Sequence, residues 1–397
     1  MRVMLGHNFY SSATPSGENS VFDAERILLL ERQHEVCVFE RRSDDIRGKG
    51  ALGLLAGALA TPWNPWTSRS VRQRLREFRP EVVHVHNTFP LISPSIFHAV
   101  GKRAARVLTL HNYRIFCPAA IPLRCGKVCT ECLDARSSWP ALRYGCYRDS
   151  RPATVPLALG VALHRALGTW TDQVDAFIAL SEFQRDLLVA AGLPARKIHL
   201  KPNFYPGRPA ALPWLERSPH AVFVGRLTAE KGVRTLLTAW RRWGEGAPEL
   251  RIVGDGPLRP ELERMAQGLP VTFTGQLSER DAQAQIAKAR LLILPSECFE
   301  GFPMVLREAF AFGTPCAVAA LGPLPSIVRH GGSGVVFGPG DPASLLDVVA
   351  GAWEAPGLLG DLGKGARLEF EGKYTEDTNY EALMEIYRQA VEVSRHG

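Results

Sequence analysis

Ten short apolar runs of strand composition recur along this chain, and the stretches between them repeat their apolar residues with a helical period. "VMLG", "EVCVFE", "EVVHVHN", "RVLTLHN" and "AFIALS" come first, then "HAVFVG", "ELRIVG", "VTFTG", "RLLILPS" and "PCAVA". A helical example is Val233, Leu236, Leu237 and Trp240, spaced i, i+3, i+4, i+7 on one face. Strict alternation of this kind requires crossover connections, so it predicts an α/β chain whose parallel sheets are covered by helices. The 397 residues suit two domains. "KPNFYPGRPAALPWLERSP", residues 201–219, is rich in proline and poor in periodic apolar spacing, which makes it the linker. The expected division is 1–203 and 204–375. A terminal helix over 376–395, with Tyr380, Leu383, Met384, Tyr387, Ala390 and Val391 on one stripe, is expected to pack back onto the first domain. Ligands of open parallel sheets collect at the carboxyl ends of strands. Polar and glycine-rich clusters fall at those ends: His86 and Asn87, His111 and Asn112, Gly225 and Arg226, Gly254 to Pro257, Ser296 to Pro303.

Charge narrows the partners. The formal net charge is +7, and residues 41–80 hold nine Arg or Lys against three Asp or Glu. Arg69, Arg72, Arg74, Arg76 and Arg79 follow Trp63, Trp66 and the apolar run "ALGLLAGALA" at 51–60. Two readings stand: a buried helix followed by a solvated basic one, or a stretch lying on an anionic membrane face. The remainder is nearly neutral and carries no DNA- or RNA-binding signature, so nucleic acid is not an expected partner. The apolar run is about half of the ~20 residues that span a bilayer. Met1 is followed directly by a strand-like run, so the expected location is cytoplasmic, with contact at the inner membrane face in the second reading.

"FEGFPMVLREAFAFGTP", residues 299–315, sets Glu300 and Glu308 eight positions apart. Pro303 suits the first turn of a helix and Gly313 its C-terminal cap, which leaves Glu300 in the loop and Glu308 on the helix. The free N–H groups at Gly301 to Met304 suit an anion such as a phosphate. Carboxylates accept hydrogen bonds in pairs and so suit the adjacent hydroxyls of a sugar. A phosphate flanked by sugar hydroxyls describes a nucleotide sugar. A diphosphate leaving group needs a metal held by acids or basic side chains. No D-x-D pair occurs, so no catalytic metal is expected, and "VGRLTAEKG" offers Arg226 and Lys231 instead.

The ordered set "VGRLTAEKG", "GDGP", "FTGQLS", "LLILPSECFEGFPMVLREAFAFGTP" and "GGSGVVFGPGDP" closely resembles the retaining glycosyltransferases of family 4. The resemblance implies the GT-B fold: two Rossmann-like, doubly wound domains facing a cleft, the second binding the nucleotide-sugar donor. It implies that Glu300 binds the donor sugar's hydroxyls, Glu308 the nucleotide ribose, and Arg226 with Lys231 the diphosphate. Gly301, Phe302 and Pro303 match the loop whose backbone approaches sugar and phosphates. The first half matches more loosely. Where the family has a double glycine after the first strand, "PSGENSVF" keeps only Gly17, with Ser16 positioned to cap a helix running through Leu30. "LTLHN" resembles a strand ending in His-Asp; His111 would approach the donor sugar, and Asn112 replaces the usual acid. His86, Asn87 and Asn112 fall on the acceptor side. The implied activity is retaining, hexosyl-type transfer to a hydroxyl acceptor; the basic apolar stretch at 51–79 points to a lipid-linked or surface-polysaccharide saccharide as that acceptor. The reaction would proceed by front-face attack in which the leaving diphosphate helps take the acceptor's proton. A sugar-nucleotide epimerase of the same architecture and a non-catalytic nucleotide-sugar-binding subunit are the alternatives. On these roles, Glu300→Ala should abolish transfer with little loss of folding.

Five of the eight cysteines crowd into residues 117–146. Cys129 and Cys132 form C-x-x-C, and Cys117 and Cys146 complete a four-thiolate set for a structural zinc, with Cys125 spare; unligated thiols are the other reading. The G-x-G-x-x-G match "GKGALG" at 48–53 follows "RRSDDIR", which is no strand, and so does not indicate a dinucleotide site.

Overall fold

In a computed structural model, which describes residues 1–10, 16–48 and 50–396, the chain forms two compact units. The first comprises Met1–Pro122, Cys129–Pro202 and Asn379–Gly397; the second comprises Leu123–Val128 and Asn203–Thr378. In chain order the strands are β1 (Arg2–Phe9), β2 (Glu35–Arg42), β3 (Val82–Asn87), β4 (Ala105–Thr109), β5 (Leu123–Arg124), β6 (Lys127–Val128), β7 (Ala176–Ala179) and β8 (Ile198–Leu200). They continue with β9 (Ser218–Val224), β10 (Glu249–Val253), β11 (Val271–Gly275), β12 (Ala289–Leu294), β13 (Cys316–Ala319) and β14 (Gly334–Phe337).

The first sheet runs β2-β1-β3-β4-β7-β8 and is parallel throughout. Strand order reverses between β1 and β3, so the loops leaving those two strands diverge and open a crevice at their carboxyl ends. Its core joins Val3, Leu5, Phe22, Leu29, Val82, Val107 and Ile178 to Leu383, Ile386, Tyr387 and Ala390 of the last helix, Glu376–His396. The second sheet runs β11-β10-β9-β12-β13-β14, again all parallel, with its reversal between β9 and β12. The loops after β9 and β12 are the ones carrying Arg226, Lys231 and Glu300. Both units are thus doubly wound and Rossmann-like.

Several local expectations need correction. The sequence pattern did not show β8 or β14, each a short edge strand. Ser16 does stand at the N-cap of the helix Gly17–Glu31, with extended backbone, but its side chain makes no capping hydrogen bond. Pro303 is the N-cap, not the first helical residue, of Met304–Phe312, and Gly313 closes that helix at φ 66°. The run at 51–60 is not a buried helix. The helix Gly50–Ala60 turns its small residues Gly53, Gly57 and Ala60 inward, where a Cβ on Gly57 would meet Ile46 Cδ1 at 2.9 Å. Leu54, Leu55 and Leu59 face out, 58%, 59% and 71% exposed. Lys49 of the glycine match at 48–53 lies outside the described residues.

Candidate functional site

In the second unit the turn after β9 and the loop after β12 are pressed together by glycine. Gly232 has φ +68°, and a Cβ there would lie 1.9 Å from the Pro295 carbonyl oxygen. No other residue allows the two backbones so close. The approach brings Lys231 Nζ to 2.7 Å from Glu300 Oε1, and Ser296 Oγ donates to the same oxygen at 2.6 Å. Burial acts to raise the Glu300 pKa, but the Lys231 ammonium and these hydrogen bonds outweigh it and hold the carboxyl below its ordinary range. Burial likewise acts to lower the Lys231 pKa, and Glu300 reverses that effect to a net rise. Arg226 stands beside this pair with a largely exposed guanidinium, 3.9 Å from Glu230. Thr235 and Thr228 hydroxyls donate to Glu297 and Glu230 at 2.6 and 2.7 Å and so brace the two loops. Gly254 and Gly256 of "GDGP" pack against the same turn; a Cβ on either would fall 2.0 Å from Gly225 O or 2.5 Å from Leu227 O.

The helix Met304–Phe312 starts directly behind Glu300, so Gly301 to Pro303 deliver the chain to its N-terminal end. The Phe302 ring is buried and packs on Tyr374, with centroids 5.6 Å apart, which leaves only its backbone for a ligand. Glu308 lies in the second turn of that helix, nearly buried. Burial first, with Glu279 adding and Arg307 opposing, pushes its pKa up to about 7.

In the first unit the strand ends gather imidazoles. His111 follows β4, and its Nε2 lies 3.1 Å from Nδ1 of His86 on β3. Burial, then the neighbouring His86 and His7, holds the His111 pKa well below 6.5. His86 uses its other nitrogen on Glu25, so both of its polar atoms are engaged within the protein. Asn87 donates to Asn8 O at 2.8 Å and accepts from Phe89 N at 3.0 Å. Asn112 donates to Glu18 at 2.8 Å and accepts from Arg114 N. These asparagines shape the loops that carry them. Gly17 is exposed at the first position of its helix. A cavity of about 80 Å³ opens beside His86, His111, Asn87 and Asn112; Arg114, Thr61, Thr88 and Thr109 line it together with apolar side chains including Phe89, Leu157 and Trp170.

Comparison with known proteins identifies the family. Residues 27–206 match the model of Glycosyltransferase Family 4, and residues 218–354 match that of Glycosyl transferases group 1. This chain belongs to the group 1, family 4 glycosyltransferases. Among similar proteins, the Arabidopsis thaliana sulfoquinovosyl transferase SQD2 is 24% identical over 317 residues, 77% of this chain and 56% of that protein. A Mycobacterium tuberculosis GDP-mannose-dependent alpha-(1-6)-phosphatidylinositol dimannoside mannosyltransferase is 36% identical over 109 residues, 27% of this chain and 29% of that one. The matched part thus spans about half, or less, of the length of these relatives. In fold, Anabaena Alr3699/HepE in complex with UDP superposes with a TM-score of 0.65 at 16% identity, covering 97% of this chain and 99% of that one. The architecture is GT-B.

Two further features of this glycosyltransferase lie away from the loops just described. Cys117, Cys129, Cys132 and Cys146 neighbour one another, and Cys125 is exposed in the β5–β6 turn. Burial pushes the Cys117 thiol up to about 12 and the Cys132 thiol up to about 11; Cys132 and Cys146 add to the first effect, Cys146 and Cys129 to the second. Mutually destabilised thiolates are what a divalent cation would relieve, and in that respect the four fit a zinc. Among the described residues, however, the side chains whose nitrogen and oxygen atoms crowd within 4.8 Å of one another are Glu25, His84 and His86, not the cysteines. The second feature is a set of exposed apolar side chains. In addition to Leu54, Leu55 and Leu59 of Gly50–Ala60, Trp66 is 73% exposed at the start of the helix Pro65–Phe78, whose Arg69, Arg72 and Arg76 are also exposed. Trp63 instead stacks on His164 within the fold. Among the described residues no helix is long and apolar enough to cross a membrane.

Sequence reasoning missed Glu25, Lys201 and the braces at Thr235 and Thr228, and placed Ser296 at a strand end without its bond to Glu300. For Glu25 a signal existed: it falls on the buried stripe Val21, Phe22, Glu25, Leu28, Leu29, where an acid is out of place unless paired.

Proposed function

We propose that this protein transfers a sugar from a nucleoside diphosphate sugar to a hydroxyl of a saccharide, with retention at the anomeric carbon. The Lys231–Glu300–Ser296 cluster at the reversal point of the second sheet, with the open Arg226 beside it, carries the reading. Lys231 and Arg226 neutralise the diphosphate, assisted by the backbone N–H groups at the start of Met304–Phe312. Glu300 accepts from the sugar's hydroxyls, and Glu308 accepts from the vicinal ribose hydroxyls. His111 binds a sugar hydroxyl, and Gly17 allows close backbone approach. In the reaction the bond from C1 to the phosphate oxygen breaks and one to the acceptor oxygen forms on the same face, while the acceptor's proton passes to the departing phosphate oxygen. The cations stabilise charge as it develops on that oxygen, so no catalytic metal is required. The solved Anabaena relative binds UDP and glucose, which supports a nucleotide-sugar donor.

The acceptor we assign is lipid-linked. The leucine and tryptophan face with its arginines suits an anionic bilayer surface, where apolar side chains enter the headgroup boundary and the cations stay at the phosphates. The mycobacterial relative's phosphatidylinositol dimannoside acceptor is in keeping with it. We assign Cys117, Cys129, Cys132 and Cys146 to one structural zinc, a tetrathiolate that would hold the insertion together.

The deciding experiment is a panel of nucleotide sugars screened by thermal stabilisation, followed by transfer to saccharide acceptors with NMR assignment of the new anomeric centre. One donor should raise the melting temperature and yield a product of unchanged anomeric configuration. Epimerisation without an acceptor, or binding without transfer, would refute the reading.

A further inference from the structure

Glu25 lies on the inward face of the helix Gly17–Glu31, between Phe22 and Leu28, where an ionised carboxylate is costly unless every oxygen is paired. Its Oε2 is 2.8 Å from Lys201 Nζ, and its Oε1 is 3.0 Å from His84 Nδ1 and 3.1 Å from His86 Nε2. Lys201 is itself anchored, donating to Asn379 Oδ1 at 3.2 Å. The ammonium already stands at the carboxylate where a metal cation would otherwise be needed. Burial acts to raise the Glu25 pKa, and Lys201 with the two imidazoles overturns that effect, so the group is anionic.

An anionic carboxylate can only accept, so His86 carries a proton on Nε2. Burial, then the nearby His84, lowers the His86 pKa to about 4, so the ring is neutral and its Nδ1 is a bare lone pair. The 3.1 Å contact from His86 Nδ1 to His111 Nε2 must then be donated by His111. A neutral His111 has one ring proton, and this contact uses it. Its lone pair is therefore on Nδ1.

We propose that Glu25 and His86 form a buried relay that fixes His111 as the Nε2–H tautomer, so that His111 meets its ligand through Nδ1 as a hydrogen-bond acceptor. The site thereby selects a group that can donate, a hydroxyl, and rejects a carbonyl or phosphate oxygen, which would face lone pair against lone pair. The consequence for transfer rests on the reading of His111 as a sugar contact; the tautomer itself does not. Glu25 and His86 are positioning residues: through the hydrogen bonds behind His111 they decide which of its nitrogens is presented. The titratable groups facing His111 are His7 on β1, His86 on β3, Glu25 on the helix and Lys201 after β8. Burial, the two imidazoles and the lysine favour the neutral ring, and only Glu25 opposes them.

The test uses the full chain labelled with 15N-histidine. Two-bond proton–nitrogen correlation spectra between about pH 5.5 and 8.5 should show His111 with a protonated Nε2 and a bare Nδ1 throughout. A protonated Nδ1, or a titration near the ordinary histidine value, overturns the proposal whatever the enzymatic activity. His86→Phe keeps a ring but removes both nitrogens; His111 should become a mixture of tautomers and kcat should fall about tenfold, the worth of one oriented hydrogen bond, with donor KM nearly unchanged. H86Q, whose amide can donate to Glu25 and accept from His111, should restore the tautomer and return kcat to within a few-fold. An H86F protein that keeps both tautomer and turnover refutes the relay. The expected tautomer in a protein that transfers no sugar would instead overturn the proposed function and leave the relay standing.

Discussion

Glu308 couples stability to function through its proton. The residue is 8% exposed, and burial, its largest influence, pushes its pKa from an ordinary 4.5 to about 7. A carboxyl whose folded pKa is raised contributes stability that is full below 4.5 and is lost as pH rises through 7. The gap, at ~1.36 kcal/mol per pH unit, is worth about 3 kcal/mol. Glu308→Gln removes the ionisation while keeping shape. Chemical denaturation of both proteins from about pH 4.5 to 8 should show the variant gaining on the parent by about 3 kcal/mol across the range. Binding should show the opposite sign. Ribose hydroxyls donating to Glu308 favour its anion, so nucleotide binding should release a proton near pH 7, and affinity should weaken up to about tenfold for each pH unit below it. Calorimetry in buffers of different ionisation enthalpy counts that proton, and the glutamine variant should bind weakly with no pH dependence. A stability difference that is flat in pH would refute the assignment of a buried, proton-bearing Glu308.

Glu300→Ala should abolish transfer, but it would also leave the Lys231 ammonium without its 2.7 Å partner and cost about 3 kcal/mol, so the expectation of little folding loss is withdrawn. Glu300→Gln keeps an acceptor oxygen for Lys231 and Ser296 but not the charge, and separates the effects: a smaller stability loss than Glu300→Ala with turnover lost, while unchanged turnover contradicts the role. Leu55→Glu with Leu59→Glu should weaken sedimentation with anionic vesicles, as should added salt, and leave thermal stability unaltered because both side chains are exposed; equal sedimentation of variant and parent contradicts the lipid face. Metal analysis of purified protein should find about one zinc per chain, with Cys129→Ser reducing it; a metal-free and fully stable preparation removes that claim.

Much of the fold was legible because parallel strands buried on both faces must be continuous apolar runs, and helices between them must be amphipathic. Edge strands escape that rule: β8 and β14 have one neighbour each and are short, so their composition carries little signal. Binary pattern also misled at 51–60. A helix rich in both leucine and glycine has two candidate inner faces, and composition favours the leucines, whereas the fold buries Gly53 and Gly57, with the Ile46 side chain packed directly against Gly57.

The sequence alone determined that two parallel sheets form, and its motif order placed Arg226, Lys231, Glu300 and Glu308 on neighbouring loops and a helix of one unit. Charge state and pairing belong to the tertiary structure. That Lys231 is engaged by Glu300, and that Glu25 reaches His111 through His86, depend on contacts of about 3 Å between residues as many as 69 positions apart, Lys231 and Glu300, while the raised pKa of Glu308 depends on its burial. Electrostatic energy and hydrogen bonding vary with separation and burial, and neither is encoded locally in a linear pattern.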